Sequence, residues 1–372
     1  MAELDELLAE ALRDLAAEAP GLPPLTSRSR RRIRAGRTGA ILASVVIVAA
    51  LCAGLVIGVR ALSRATRPPP AIPPNSAHWT ATVRARIPLP VSQSTDVAVL
   101  GSTAWVSDWY TGKVVRVDLT TRRVTKVLHI GRPQDGPISL ATGAGSVWVL
   151  DFSTGRVLRI APATGRVISR IQIRGEATDV AYGDGFVWVI SDGHHLYKID
   201  PARDRIVRIA PMHGAGPGCV ASPGPQGIWV GCGGVAGISL IDPRSLKAVR
   251  RSPVNPGEYS PQIAPGQQVV WVLTMNGLFR VDPATGRITA TVQTTWNPEA
   301  SRIPAISVDS SGRVRVAGSP LTVLVPGSLT IHQVANTAEK GIISVMEAGP
   351  NLWADTGTTL LELGLSRSPA RP

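Results

Sequence analysis

Tryptophan recurs along this chain at nearly constant intervals, and this spacing constrains the fold more than any other feature. Intervals of 43, 40, 41 and 42 residues separate Trp105, Trp148, Trp188, Trp229 and Trp271. Trp353 follows 82 residues later, and Arg315 stands halfway through that gap, in the same Val-x-Val frame as Trp148. The pattern indicates seven copies of a unit of about 40 residues. The sixth copy lacks its tryptophan and is the most divergent.

Short alternating runs of apolar and polar residues fill each copy, separated by Gly, Pro, Asp and Thr turns. Residues 155–167 and 277–288 are two clear examples, and similar segments stand at 112–124, 194–206 and 236–248. Four such strands in about 40 residues are typical of one blade of a β-propeller. We therefore predict an all-β fold over residues 78–366, a seven-bladed propeller with four-stranded blades.

The two ends of the repeat region predict how the ring closes. Residues 80–90 match the outermost strand of a blade, because Arg86-Ile87 precedes Thr95-Asp96-Val97-Ala98 as Arg170-Ile171 precedes Thr178-Asp179-Val180-Ala181. The last copy, residues 341–364, supplies about three strands. The N-terminal strand is therefore expected to complete the last blade and to remove an open sheet edge.

An uncharged segment near the N-terminus predicts a membrane anchor. Residues 38–59 carry no charged side chain, and a helix of that length rises about 33 Å, enough for a bilayer core of about 30 Å. Six arginines lie just before it, in residues 28–37, and three just after it, in residues 60–67, so the positive-inside rule keeps the N-terminus in the cytoplasm. We predict a cytoplasmic tail (1–37), a transmembrane helix (38–60), a Pro-rich linker (61–77), an extracytoplasmic propeller (78–366) and a disordered tail (367–372).

Two alternatives accompany this topology. Ser29-Arg30-Arg31-Arg32-Ile33 loosely resembles a twin-arginine signal, and Cys52 sits where a lipobox cysteine would, but the long leader and Leu51 favour an uncleaved signal anchor in the cell membrane. Upstream, leucines at three- and four-residue spacing predict an amphipathic helix over residues 2–19. This helix either docks on a cytoplasmic partner or is loosely ordered.

The Val-Trp-Val strand and the turn Arg-Val-Asp-Pro-x-Thr-Gly-Arg carry a resemblance over residues 78–364. On these motifs the chain resembles the YVTN/YncE-like and virginiamycin B lyase-like propellers of bacteria. The resemblance implies the fold and is nearly silent on function. The lyase-like enzymes need histidine and glutamate bases around a divalent cation, and this sequence has no Glu-x-His pairing that corresponds to them.

Candidate ligand-binding residues lie in the loops expected at the mouth of the central channel. They are Asp108, Trp109, Tyr110, Asp151, Phe152, Asp192, His194, His195 and His213. The repeated aspartates could converge on a cation, but an aspartate just after a strand more often bonds its own turn. We therefore predict no cofactor, no metal ligands and no catalytic residues; a divalent cation in the channel has no support from the sequence.

Cys219 and Cys232 flank a predicted hairpin in the fourth copy. An oxidising space outside the membrane makes them candidates for a structural disulfide.

Charge is the last feature that bears on partners. Residues 68–372 hold 29 basic and 20 acidic side chains. The basic excess either attracts anionic envelope polymers and lipid headgroups or reflects arginines on solvent-exposed strand faces. The sequence has no dense basic stripe interleaved with aromatic residues, so we expect no nucleic-acid partner. The chain is predicted to be a non-catalytic module that binds or senses an envelope ligand or protein at the propeller top. The alternative is a metal-dependent lyase or hydrolase of the cell envelope.

Overall fold

A computed structural model describes residues 71–72, 79–191, 195–212, 218–234, 237–257, 259–293, 305–309, 312–318, 320–325, 330–335 and 341–367. All of them belong to one compact unit, residues 68–372. The predicted helices 2–19 and 38–60 lie outside the described residues, as do most of the linker 61–77 and all but the first residue of the tail 367–372. No helix in the described ranges is long and apolar enough to cross a membrane.

Strands are the only regular elements in the described ranges, as the sequence predicts. In chain order they are β1 (Ala71–Ile72), β2 (Trp79–Pro88), β3 (Asp96–Leu100), β4 (Thr103–Asp108), β5 (Lys113–Asp118), β6 (Arg123–His129), β7 (Pro137–Gly143), β8 (Ser146–Asp151), β9 (Arg156–Ala161), β10 (Arg166–Gln172), β11 (Ala177–Gly183), β12 (Phe186–Ser191), β13 (His195–Asp200), β14 (Arg205–Pro211), β15 (Cys219–Gly224), β16 (Gly227–Cys232), β17 (Ile238–Ile241), β18 (Ala248–Ser252), β19 (Gln262–Pro265), β20 (Val270–Thr274), β21 (Gly277–Val281), β22 (Ile288–Val292), β23 (Ile306–Val308), β24 (Val314–Val316), β25 (Thr322–Val325), β26 (Thr330–Ala335), β27 (Ser344–Ala348), β28 (Asn351–Asp355) and β29 (Thr359–Arg367).

The strands form repeated four-stranded antiparallel sheets in which chain order equals spatial order. The first five sheets are β3–β6, β7–β10, β11–β14, β15–β18 and β19–β22, and the sixth is β23–β26. In the remaining sheet, β2 lies beside β29, followed by β28 and β27. Short parallel pairings add β1 to β22 and join β2 to β26.

The first strands of successive sheets are neighbours along a closed path. β3 contacts β7, and the contacts continue through β11, β15, β19 and β23 to β27, which returns to β3. Repeated four-stranded meanders whose first strands follow such a path are consistent with a propeller.

The recurring tryptophans explain the constant spacing of the repeat. Each lies on the second strand of its sheet and is buried between that sheet and a neighbour; Trp105 packs with Leu140 and Val147 of the next sheet. The indole Nε1 of Trp148 also donates to the carbonyl oxygen of Gly143 at 3.1 Å. One large side chain per sheet therefore fills one junction between sheets.

Arg315 occupies the tryptophan position of the sixth sheet and is only 5% exposed. Its guanidinium lies 2.9 Å from a carboxylate oxygen of Asp309 and 2.9 Å from one of Glu347, which belongs to the next sheet. A buried cation needs such partners to offset its desolvation. In the divergent sixth copy an ionic contact with the next sheet thus replaces that of the tryptophan, while the rest of this junction is apolar.

Basic side chains on the third strands of the first three sheets bridge each of these sheets to the next. Arg159 lies over the ring of Trp148, 5.2 Å from its centroid, and donates to the carbonyl oxygen of Pro201 at 2.8 Å. Lys198 donates in the same way to the carbonyl oxygen of Pro243 at 2.8 Å. Between the last sheet and the first the charges are exchanged. Buried Glu362 of the last sheet takes the position of the basic residue and accepts from Arg122 of the first sheet at 2.7 Å.

The N-terminal strand completes the last sheet, as predicted. Nine residues of β2 pair with β29, from Trp79 opposite Arg367 to Pro88 opposite Thr359. Trp79 and Ile87 are buried against the two neighbouring sheets. The chain therefore closes its sheet with residues almost 300 positions apart in sequence.

Candidate functional site

A cavity of about 310 Å³ lies among the first strands of the first five sheets. Most of the side chains that line it are polar. They include Asp96, Ser139, Thr178, Asp179, Ser222, Tyr259, Ser260 and Gln262. Lysine, arginine and histidine are absent from its described lining.

The repeat itself places these side chains in one layer. Ala98, Ala141 and Ala181 are the strand partners of the successive tryptophans, and the residue two positions before each alanine is Asp96, Ser139 and Asp179. Gln262 is the equivalent residue of the fifth sheet, since Ala264 pairs with Trp271. Residues equivalent in a repeat lie at the same depth when the sheets stand side by side.

The carboxylate of Asp179 joins three sheets. Its Oδ1 accepts from the hydroxyl of Ser139 at 2.8 Å, and its Oδ2 accepts from the backbone amide of Ala221 at 2.9 Å. Asp96 makes a similar bridge, accepting from the amide of Leu140 at 2.7 Å. These bonds fix both carboxylates in orientations in which they line the cavity.

Burial, with a smaller contribution from the negative charge of Asp96, raises the pKa of Asp179 to about 7, against the opposing effect of the hydrogen bonds from Ala221 and Ser139. The side chain is partly accessible from the cavity, but protein atoms surround it closely enough to displace most of its hydration. At neutral pH the cavity therefore holds a carboxyl group close to its titration midpoint. Such a group favours a bound positive charge.

The predicted residues Asp108 and Asp151 are buried at the ends of β4 and β8. Asp108 accepts from the backbone amides of Ser92 at 2.7 Å and Tyr110 at 2.9 Å. Asp151 accepts from the hydroxyl of Thr154 at 2.7 Å. The contacts with Tyr110 and Thr154 are those of turn-stabilising aspartates, whereas the contact with Ser92 joins two separate loops.

The structure brings the predicted aromatic residues together. The rings of Trp109 and Tyr110 meet edge to face with centroids 5.2 Å apart. The amide of Gly136 donates to the carbonyl oxygen of Trp109, and the carbonyl oxygen of Gly136 accepts from the amide of Phe152, both at 3.3 Å. Within the described part of the chain none of the three aromatic residues lines the cavity.

The predicted histidine group is described only in part. His195 begins β13, and its ring centroid lies 6.2 Å from that of Tyr197. Asp192, His194 and His213 lie outside the described residues. In the ranges that the structure covers, His, Cys, Asp and Glu side chains form no group of three that could hold a metal ion.

Cys219 and Cys232 form a disulfide bond in the structure. They are directly opposite each other on β15 and β16, and Cys219 also lines the cavity.

Replacing both cysteines by alanine is expected to lower the free energy of unfolding by about 3 kcal/mol, the entropic value for so short a loop. Urea unfolding of the variant and of the wild type, each with and without reductant, measures the effect. The reductant should shift only the wild type. An equal shift in the variant would contradict the assignment of the effect to this bond.

Asp96, Ser139 and Asp179 were not among the residues predicted for the site. The signal was present in the sequence as Thr-Asp-Val-Ala, which occurs at 95–98 and again at 178–181. In the sequence this repeated motif shows that the two positions are equivalent, but not that they face a cavity. No family model matches the chain, and no curated protein matches it; function is therefore inferred from the cavity and from the surface.

Proposed function

We propose that residues 78–366 are a seven-bladed propeller that binds a small, positively charged ligand in the cavity among its first strands. The helix 38–60 would anchor it in the cell membrane with the propeller outside. The protein acts as a non-catalytic binding or sensing module. The resemblance to the YVTN/YncE-like propellers agrees with this proposal but does not select a ligand.

The count of seven blades is supported by the contacts between first strands. Counting β3, β7, β11, β15, β19, β23 and β27 gives one first strand per tryptophan-spaced copy. The contact between β27 and β3 supports closure after the seventh. The pairing of β2 with β29 gives the seventh sheet its fourth strand.

The observation that carries the ligand class is the pair of carboxylates in one polar cavity. Asp96 and Asp179 supply negative charge, while Ser139, Thr178 and Gln262 supply hydrogen-bonding groups. A volume of about 310 Å³ is at the lower end of the range for small-molecule sites. An amine that also carries hydroxyl or further amino groups matches both the charge and the hydrogen-bonding capacity.

Thermal unfolding of the full chain with matched probes tests this proposal. Putrescine is expected to raise the midpoint, because a ligand that binds only the folded state stabilises it, whereas butanediol, of the same length without charge, should not. Asp96→Asn and Asp179→Asn should each weaken putrescine binding at least about tenfold. Asp282→Asn, on a surface turn, is the matched control and should leave binding unchanged.

Three results would contradict the proposal. Equal shifts with butanediol, or binding that survives both cavity substitutions, would remove the carboxylates from the site. A shift produced only by magnesium or calcium and reversed by a chelator would favour the metal-dependent lyase or hydrolase instead.

A further inference from the structure

Positive charge is concentrated on one part of the fold. We call the third and fourth strands of the first five sheets, with the turns between them, the outer hairpins; they comprise residues 113–129, 156–172, 195–211, 238–252 and 277–292. They hold nineteen basic and five acidic side chains, a net charge of +14. The rest of residues 68–372 holds ten basic and fifteen acidic side chains, a net charge of −5. A general excess of arginine over the whole surface would not separate the charges in this way.

In each of these sheets one cation is either the first residue of the fourth strand or the residue directly before it. The five residues are Arg123, Arg166, Arg205, Lys247 and Arg287, and all five are exposed. They are equivalent by register, since Arg123 pairs with Asp118 and Arg166 pairs with Ala161 at the same step of their hairpins. The repeat therefore carries a row of cations from sheet to sheet.

The exposed arginines of this row have no carboxylate within ion-pair distance among the described residues. The neighbouring turn aspartates are engaged locally. Asp118 accepts from the amides of Thr120 and Thr121 at 2.9 and 2.8 Å, and Asp242 accepts from the amide of Ser245 at 2.6 Å. Asp200 pairs with Arg203 within its own turn. The row thus keeps its positive charge available to a partner.

We propose that the outer hairpins bind a linear polyanion, such as a phosphate polymer, that follows the row of cations across neighbouring sheets. The five cations stand at the same end of their fourth strands, next to the turns from the third strands, and recur once per sheet. An extended anionic chain matches such a regular row of exposed cations, because each repeat offers it one contact. Regularly spaced charge on both partners gives the contact its strength through release of counterions.

The surface is distinct from the cavity in both position and charge. None of the five cations of the row lines the cavity. Binding at the outer hairpins therefore does not depend on the ligand proposed for the cavity.

Binding of labelled inorganic polyphosphate to the full chain, held in nanodiscs of neutral phosphatidylcholine, tests the proposal. About five phosphate contacts should weaken binding roughly 100-fold between 50 and 200 mM salt. Arg123→Glu combined with Arg166→Glu should weaken it at least about tenfold at low salt. The matched control combines Arg132→Glu with Arg174→Glu, which makes the same change in net charge at exposed residues outside the outer hairpins, and should weaken it less than about twofold.

The other outcomes overturn the proposal. Equal losses in the two double variants would show that net charge alone attracts the polymer. Co-flotation with vesicles containing phosphatidylglycerol, without polyphosphate binding, would identify a membrane surface as the partner. Absence of binding to either probe at low salt would leave the row a solvated surface.

Discussion

Chains that begin at residue 91 are expected to lose the cooperative unfolding transition that chains beginning at residue 75 retain. Removing β2 takes away nine paired residues along β29 and leaves that strand as an open edge. It also removes Trp79, Ala81, Ile87 and Leu89, all at most 9% exposed, from the apolar clusters on either side of the last sheet. Their burial contributes about 8 kcal/mol, which approaches the whole stability of a typical domain.

Circular dichroism and light scattering during heating measure this difference. The chain beginning at residue 91 should show a broad transition or aggregate, and a synthetic peptide of residues 79–90 added in excess should partly restore the sharp transition. A sharp transition at the same midpoint without β2 would show that the closing strand does not hold the last sheet together.

The repeat architecture could be predicted because each sheet obeys the same local rules. One tryptophan fills each junction, so the interval between tryptophans equals the length of one sheet with its connection. The closing strand could be predicted for a similar reason. Residues 80–90 supply one outermost strand without a sheet of its own, and residues 341–364 supply about three strands of a four-stranded sheet. Both inferences need only the periodicity of the chain.

The cavity could not be predicted in this way, because a pattern does not tell where an aspartate finds its partners. Asp108 accepts from Tyr110 and Ser92, two and 16 positions away, while Asp179 accepts from Ser139 and Ala221, 40 and 42 positions away. Ser139 therefore lies one repeat before Asp179, and Ala221 lies one repeat after it. Only sheets standing side by side bring the groups together, so the two aspartates look alike in sequence and differ in structure.

Arg315 illustrates the same limit. The sequence shows a missing tryptophan in the sixth copy but not what compensates for it. The carboxylate of Glu347 is supplied by the neighbouring sheet, 2.9 Å from the guanidinium. A substitution at a junction is therefore interpreted correctly only together with the sheet that it faces.

Asp179→Asn is expected to stabilise the protein strongly at pH 8 and clearly less at pH 5. The pKa of Asp179 is about 7 in the folded protein against a usual value of 3.8. Between these values the folded state binds the extra proton, so stability falls as the pH rises. Ionisation in the cavity, beside the negative charge of Asp96, costs up to about 4 kcal/mol once the pH exceeds 7.

Asparagine removes this cost and keeps the contacts. Its side-chain oxygen can accept from the amide of Ala221, and its amino group can donate to the hydroxyl oxygen of Ser139. Thermal unfolding from pH 5 to pH 8 should therefore show a falling midpoint for the wild type and a flatter profile for the variant, with a difference of about 5–10 °C at pH 8.

Asp282→Asn provides a control of opposite sign. The side-chain hydrogen bond from Thr285, followed by the backbone amide of Ala284, lowers the pKa of Asp282. This carboxylate therefore stabilises the fold above its usual pKa, and the benefit is lost as the pH falls through its lowered value. Its substitution should lower the midpoint at pH 8 and at pH 5 alike. If Asp179→Asn also lowered the midpoint at pH 8, the carboxylate would be ionised and satisfied in the cavity, and the positive charge of a bound ligand would no longer be needed to explain its burial.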